Sequence, residues 1–199
     1  MEENERDQTM EFKGSKTEKN LLAAFAGESQ ARNRYTFFAS AAKKEGYEQI
    51  SAIFLKTAEE EKEHGKLFFW LLKGGDVEIT ASHPSGMIGT TKENLAAAAA
   101  GEMMEWGTLY LGFASTATKE GFKDVAQLFT NIGKVEACHE KRFEKLHTNM
   151  VKGAVFTALT PVKWYCRNCG FAIEGTAAPE KCTVCDHPKA YFEIAAENY

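Results

Sequence analysis

Apolar residues recur three and four positions apart through most of the first 150 residues, the spacing that keeps one face of an α-helix in a core. Four such stripes can be traced. The first runs through Leu21, Phe25, Glu28, Tyr35 and Phe38, and the second through Ile50, Phe54, Thr57, Glu61, His64, Phe68 and Leu71. The third holds Leu95, Ala98, Glu102, Glu105 and Leu109, and the fourth Val125, Leu128, Ile132, Glu136, His139, Phe143 and Leu146. Glycines at Glu45-Gly46, Lys73-Gly74-Gly75 and Glu120-Gly121 supply the stops, since glycine suits a helix C-terminus. The pattern predicts four helices of about 25 residues, roughly 35–40 Å each. About 15 residues, Pro84 and Gly86 among them, separate the second helix from a third that starts at Thr90 or Thr91. A loop of that length suits a crossover along a bundle better than a hairpin.

The helices form a repeat. NLLAAFAGE, ending at Glu28, matches NLAAAAAGE, ending at Glu102; FASAAKKEGY from Phe38 matches FASTATKEGF from Phe113. Glu61-x-x-His64 matches Glu136-x-x-His139. The offset is 74 residues at Glu28 and Glu102 and 75 thereafter, so one residue is inserted between Glu102 and Tyr110. A long helix absorbs an extra residue most simply as a π-turn, a feature common at functional sites. A π-turn is therefore predicted near Glu105 to Tyr110.

Each apolar stripe carries acid where a hydrophobe belongs. Five glutamates (Glu28, Glu61, Glu102, Glu105 and Glu136) and two histidines (His64 and His139) would converge on one core. A buried carboxylate is costly unless a positive charge answers it. Arg32, beside the first stripe, could answer only one of them. A single E-x-x-H on a charged helix is usually a solvated accident. Two copies at matched repeat positions, each opposite a Gly-Glu on another stripe, instead give the ligand pattern of di-iron carboxylate bundles, with the i, i+3 spacing turning Glu and His to one ion. The copies differ at Ala31, which corresponds to Glu105, so the two ions should be inequivalent. Tyr35 and Tyr110 follow Glu28 and Glu102 by seven and eight residues; they fit hydrogen bonding to ligating carboxylates and equally fit core aromatics. Cys138 is expected as a small buried residue off the ligand face, and His83 and His147 in surface or packing roles.

Composition changes near Pro161. The last 34 residues hold Cys166, Cys169, Cys182 and Cys185, two C-x-x-C pairs separated by twelve residues. This spacing closes a tetrathiolate metal site. A structural zinc ribbon and a one-iron redox site share it; zinc is the commoner answer from spacing, and the neighbouring di-metal pattern favours iron. Trp164, Tyr165, Phe171, Tyr191 and Phe192 are expected to pack around it, and His187 is left out as a fifth ligand. The boundaries read as an acidic extension over 1–14, a four-helix bundle over 15–153, a linker over 154–163 and a cysteine module over 164–199.

The net charge of -4 gives no reason to expect nucleic acid or an anionic membrane as partner. No apolar run approaches the roughly 18 residues of a membrane span. The acidic start, MEENERDQTM, has no apolar stretch of the kind an export signal needs. A soluble cytoplasmic protein is the expectation.

From KGSKTEKNLLAAFAGESQARNRY (Lys13 to Tyr35) to CTVCDHPKAYFE (Cys182 to Glu193), the chain resembles the rubrerythrin family. The resemblance implies a mainly α fold: a ferritin-like four-helix bundle with a long crossover, then a small rubredoxin-like domain. It implies iron at both sites. Glu28, Glu61, Glu102, Glu105, Glu136, His139 and His64 match the di-iron ligands, with Glu61 and Glu136 bridging, and the four clustered cysteines match the one-iron ligands. It further implies a non-haem peroxidase that reduces hydrogen peroxide to water, serves oxidative-stress defence, and draws electrons through the cysteine iron from a redox protein such as a rubredoxin or its reductase. One iron would take Glu105 when oxidised and His64 when reduced; Tyr35 and Tyr110 complete the expected catalytic group. A homodimer or higher homo-oligomer is implied. The departures, Phe171 where such modules often carry Tyr and Cys138 inside the second E-x-x-H, leave the ligand set intact. The main alternative is a ferritin-type ferroxidase, which would need no cysteine module; a zinc-holding structural protein is the other.

Overall fold

A computed structural model describes residues 11–197. The chain runs α1 (Lys16–Lys44), α2 (Glu48–Leu71), α3 (Thr91–Met104), a π-helical turn (Glu105–Leu109), α4 (Tyr110–Lys119) and α5 (Lys123–Val151). Next come β1 (Thr157–Cys166), β2 (Ala172–Ala177), a short 3-10 turn (Lys189–Tyr191) and β3 (Phe192–Ile194). α3, the π-turn and α4 make the one long third helix that the sequence predicts. In the π-turn the Tyr110 amide bonds to the Glu105 carbonyl, five residues back, so the inserted residue sits where the offset changes.

The repeat is visible in the caps. Gly46 and Gly121 take φ of 85° and 89°, and Tyr47 and Phe122 bond back to Ala42 and Ala117 at 2.9 and 2.8 Å. Each copy also caps the other. The Glu45 carboxylate accepts the Thr91 amide at 3.0 Å, at the start of α3. The Glu120 carboxylate accepts the Thr17 amide at 2.8 Å, at the start of α1. Both place negative charge on a helix N-terminus, where unpaired amides and the helix dipole favour it. Thr90 closes α3 with a capping box to Glu93.

α1 packs along α2, and α5 along α3 and α4, with residues 72–90 crossing between the pairs. The apolar interior is in two parts. One gathers Tyr35, Phe38, Phe54, Leu95 and Phe143; the other gathers Leu21, Phe68, Tyr110, Phe129 and Ile132. Along every helix the acids fall between them: Glu28 between Ala24 and Ala31, Glu136 between Ile132 and Phe143. Four fully buried phenylalanines, Phe54, Phe68, Phe129 and Phe143, each contribute roughly 1.5–3 kcal/mol and seal a polar layer from both ends.

The C-terminal module is a three-stranded antiparallel sheet in the order β2-β1-β3. Its core holds Trp164, Cys166, Ala178, Cys182 and Phe192, and Trp164 Nε1 donates to the Gly175 carbonyl at 3.0 Å. It meets the bundle where Tyr47 stacks on Phe156, with ring centroids 6.0 Å apart.

Three expectations change. The segment expected as a linker is strand from Thr157 onward, because it pairs with β2. Tyr165 lies outside the module core at 38% exposed, since strand alternation turns it away from Trp164 and Cys166. In the expected N-terminal extension, residues 1–10 lie outside the described residues, but Phe12 packs edge-on against Phe122 and Lys13 pairs with Glu18 at 3.1 Å. No described helix is long and apolar enough to cross a membrane.

Candidate metal centres

The polar layer gathers two groups. Glu28, Glu61, His64 and Glu136 converge in one, and Glu61, Glu102, Glu136 and His139 in the other, each within 4.8 Å. Two glutamates belong to both. Glu61 turns Oε2 to His64 Nδ1 and Oε1 to His139 Nδ1, both at 3.0 Å. Glu136 turns Oε1 to His64 at 2.9 Å and Oε2 to His139 at 2.8 Å. Glu28 serves the His64 side and Glu102 the His139 side, each at 3.8 Å. The imidazole rings lie 5.9 Å apart and near parallel.

The tyrosines cross between the copies. Tyr35 donates to Glu102 Oε1 and Tyr110 to Glu28 Oε1. The other oxygen of each glutamate is buried without a hydrogen-bond partner, as are Glu61 Oε1, both oxygens of Glu136 and His139 Nδ1. These orphaned acceptors all face one space. Buried polar atoms are rarely left so, and this many carboxylate oxygens around only two imidazoles fit cations.

Electrostatics agree. Burial raises Glu28 far above the usual carboxylate range, against the pull of His64, and pushes Glu102 up to about 8, with His139 opposing. Burial works against an ionised Glu61 too, but His139 and His64 outweigh it and hold that carboxyl near 2. Burial disfavours charge on His139, yet Glu102, Glu136 and Glu61 drive it up to about 12. A layer so short of positive charge takes up protons where it has no metal.

Glu105 is buried but stands outside both groups. Burial raises its carboxyl strongly, with Glu28 the neighbouring charge that adds most to the rise. It lines a cleft of about 660 Å³ between α1, the π-turn, α4 and crossover residues 78–84, with Tyr110, Arg34 and His83. Gln30 Nε2 ties the crossover down through the Pro84 carbonyl at 2.9 Å. Arg34 Nε is buried without a partner.

In the module, Cys166 and Cys185 stand 3.7 Å apart, as do Cys169 and Cys182. A tetrahedral ion bonded at roughly 2.3 Å to sulfur sets its thiolates about 3.8 Å apart, so the cluster already has the spacing it needs. The His187 amide, against burial and with help from neighbouring side chains, holds the Cys185 thiol near 6. The Phe171 amide favours a Cys169 thiolate, but burial and the adjacent thiols push it up to about 12. The thiolate is thus favoured at Cys185 and disfavoured at Cys169. The His187 ring is turned to the Cys185 carbonyl at 3.0 Å.

Two sequence expectations fail here. Cys138 is exposed, because it falls on the solvent face of α5 with Lys134 and Lys141. Arg32 pairs with Glu59 at 3.7 Å on the surface and answers none of the buried acids. The sequence reading also missed polar groups behind the layer. Arg142 Nη1 reaches Glu60 and Thr57, both at 2.7 Å, and Trp106 in the π-turn donates to Glu140 at 2.7 Å. Charged side chains on partly exposed faces carry no periodic signal that marks them.

Comparison with known proteins gives the same two parts. The family described as Rubrerythrin matches residues 19–147, and that described as Rubrerythrin, rubredoxin-like domain matches residues 164–193. A rubrerythrin from Porphyromonas gingivalis is 60% identical, over 94% of each chain. The structure of nigerythrin in its fully reduced, all-ferrous state is 30% identical with a TM-score of 0.61, covering 96% of this chain and 95% of that one. A bacterioferritin from Desulfovibrio desulfuricans, 21% identical with a TM-score of 0.61 over 70% of this chain and 82% of that one, shares the bundle fold. The carboxylate-histidine layer and the four cysteines match the di-iron and one-iron cofactors of such proteins.

Proposed function

The chain belongs to the rubrerythrin family, and on that premise we propose that it is a non-haem di-iron peroxidase reducing hydrogen peroxide to water in oxidative-stress defence. The observation that carries the reading is the set of orphaned acceptors in the bundle, joined in one chain to a preformed tetrathiolate. Glu28, Glu61, His64 and Glu136 would hold one iron, and Glu61, Glu102, Glu136 and His139 the other, with Glu61 and Glu136 shared. Cys166, Cys169, Cys182 and Cys185 would hold the third. Bound iron supplies reversible one-electron changes, two of which, with two protons, turn hydrogen peroxide into two waters.

The chain's own groups set the conditions. Two apolar clusters close the layer at its two ends. Tyr35 and Tyr110 hold a proton at their hydroxyls and fix which oxygen of Glu102 and Glu28 remains free to bind metal. The cleft brings peroxide to Glu105. A second carboxylate beside the His64 half gives that half a choice between imidazole and a harder oxygen donor. Electrons enter through the cysteines from a redox protein such as a rubredoxin or its reductase, within a homodimer or higher homo-oligomer. A ferritin-type ferroxidase would use the same layer, but it leaves the tetrathiolate without a task.

Replacing Glu105 with Ala tests the reading. Folding and uptake of two bundle irons should survive while peroxide turnover slows. Unchanged turnover removes the exchange role from Glu105.

A further inference from the structure

The repeat that builds the bundle breaks again directly behind the polar layer. On the 75-residue offset that relates Glu61 to Glu136 and His64 to His139, Glu60 corresponds to Val135 and Arg142 to Leu67. Glu60 and Arg142 meet behind His139. Glu60 Oε2 lies 3.1 Å from His139 Nε2, the ring nitrogen not turned to the layer. The contact is an ion pair whose approach is oblique for a hydrogen bond. Arg142 Nη1 holds that same oxygen at 2.7 Å and is itself braced by Thr57 Oγ1 at 2.7 Å.

Among the described residues, no equivalent pair stands behind His64. Val135 and Leu67 carry no polar side-chain atom, and Ile132 replaces Thr57 on the same offset. Among the described residues, every ion pair of His64 is made through Nδ1. An outer carboxylate fixes the tautomer and orientation of a ligating imidazole and strengthens it as a donor. One histidine has that support and its repeat mate does not.

We propose that Glu60, held by Arg142, is a positioning residue that fixes His139 as a permanent metal ligand, and that the missing counterpart leaves His64 free to exchange with Glu105. The inference rests on the di-iron reading above. It explains why ligand exchange belongs to one half of a site whose bridging glutamates are symmetric.

The test uses the full-length protein stripped of iron and titrated with cobalt(II). The exchangeable imidazole N–H signals, displaced by the paramagnetic ion, are followed by proton NMR. The wild type should show one slowly exchanging N–H, from His139, and one fast, from His64. Glu60→Val should make both fast and weaken one bundle cobalt by about 10–100-fold, leaving the other unchanged. Glu60→Gln keeps an acceptor and should restore slow exchange with part of the affinity; it also carries the test should the valine variant fold poorly. A slow signal and cobalt affinities untouched by either substitution, or equal weakening of both ions, overturns the inference. If the wild-type bundle binds no cobalt, the di-iron reading itself fails, and this inference falls with it.

Discussion

Glu102 and His139 tie the bundle's stability to pH, and the direction follows from their shifts. Glu102 is raised from 4.5 to about 8, so the protonated form is the one the fold favours. Its contribution is complete below 4.5 and is lost as pH climbs to about 8. His139, raised from 6.5 to about 12, likewise gives its full support below 6.5 and loses it upward. Glu61, lowered to about 2, acts oppositely: its support is present above 4.5 and disappears as pH falls. The protein stripped of metal should therefore lose thermal stability from pH 4.5 to about 8, whereas metal, which needs these groups deprotonated, should bind more tightly across that window and release protons. Melts in chelator and calorimetric titrations in buffers of different ionisation heat check both, and a melting temperature that climbs through the window contradicts them. The tyrosines give a second residue-scale prediction. Tyr35→Phe or Tyr110→Phe leaves a buried carboxylate oxygen unpaired and should cost roughly 1–3 kcal/mol in denaturant unfolding; a loss well below 1 kcal/mol would mean that water or another donor replaces the hydroxyl.

At the scale of elements, the repeat made much of the architecture legible. The four stripes, the stops at Gly46 and Gly121 and the crossover all follow from residue types at helical spacing, and the π-turn follows from a one-residue change of offset. The acids of the layer were legible because they interrupt apolar stripes. The crossing of the tyrosines was not, because each pairs with the other copy's glutamate 67 or 82 residues away, and spacing along one helix is silent on that. Glu60 and Arg142 were illegible for a different reason: on a half-exposed face a charge run looks solvated. The strand that begins at Thr157 was hidden by Pro161, which reads as a break yet sits in a stretch of β1 where the pairing with β2 shifts register. Two element-scale tests follow. Glu120→Ala removes the acceptor for the start of α1 and should cost roughly 0.5–2 kcal/mol, measured by unfolding; no loss would make the cross-copy cap ornamental. Deleting Gly107, exposed within the π-turn, should restore a regular ladder and rotate Glu102 and Glu105 against Tyr110. Helical circular dichroism should persist while bundle metal uptake falls; full uptake would show that the π-turn does not set the ligand register.

Over the whole molecule, the two parts divide labour: the bundle holds a buried acid layer with a cleft at Glu105, and the sheet module holds thiolates at the spacing of a single ion. The central claim is that electrons pass from the second to peroxide at the first. Cys166→Ser should stop sustained turnover but spare one oxidation of the pre-reduced bundle. The most direct measurement loads the wild type with iron, reduces it without oxygen, adds one equivalent of hydrogen peroxide and follows the visible absorption of the cysteine-bound iron. Rapid return of the ferric colour, slowed in a variant lacking Glu61 and Glu136, is the result predicted. Colour that returns at the same rate without those glutamates would contradict the account, because the cysteine iron would then be oxidised without passing electrons through the bundle.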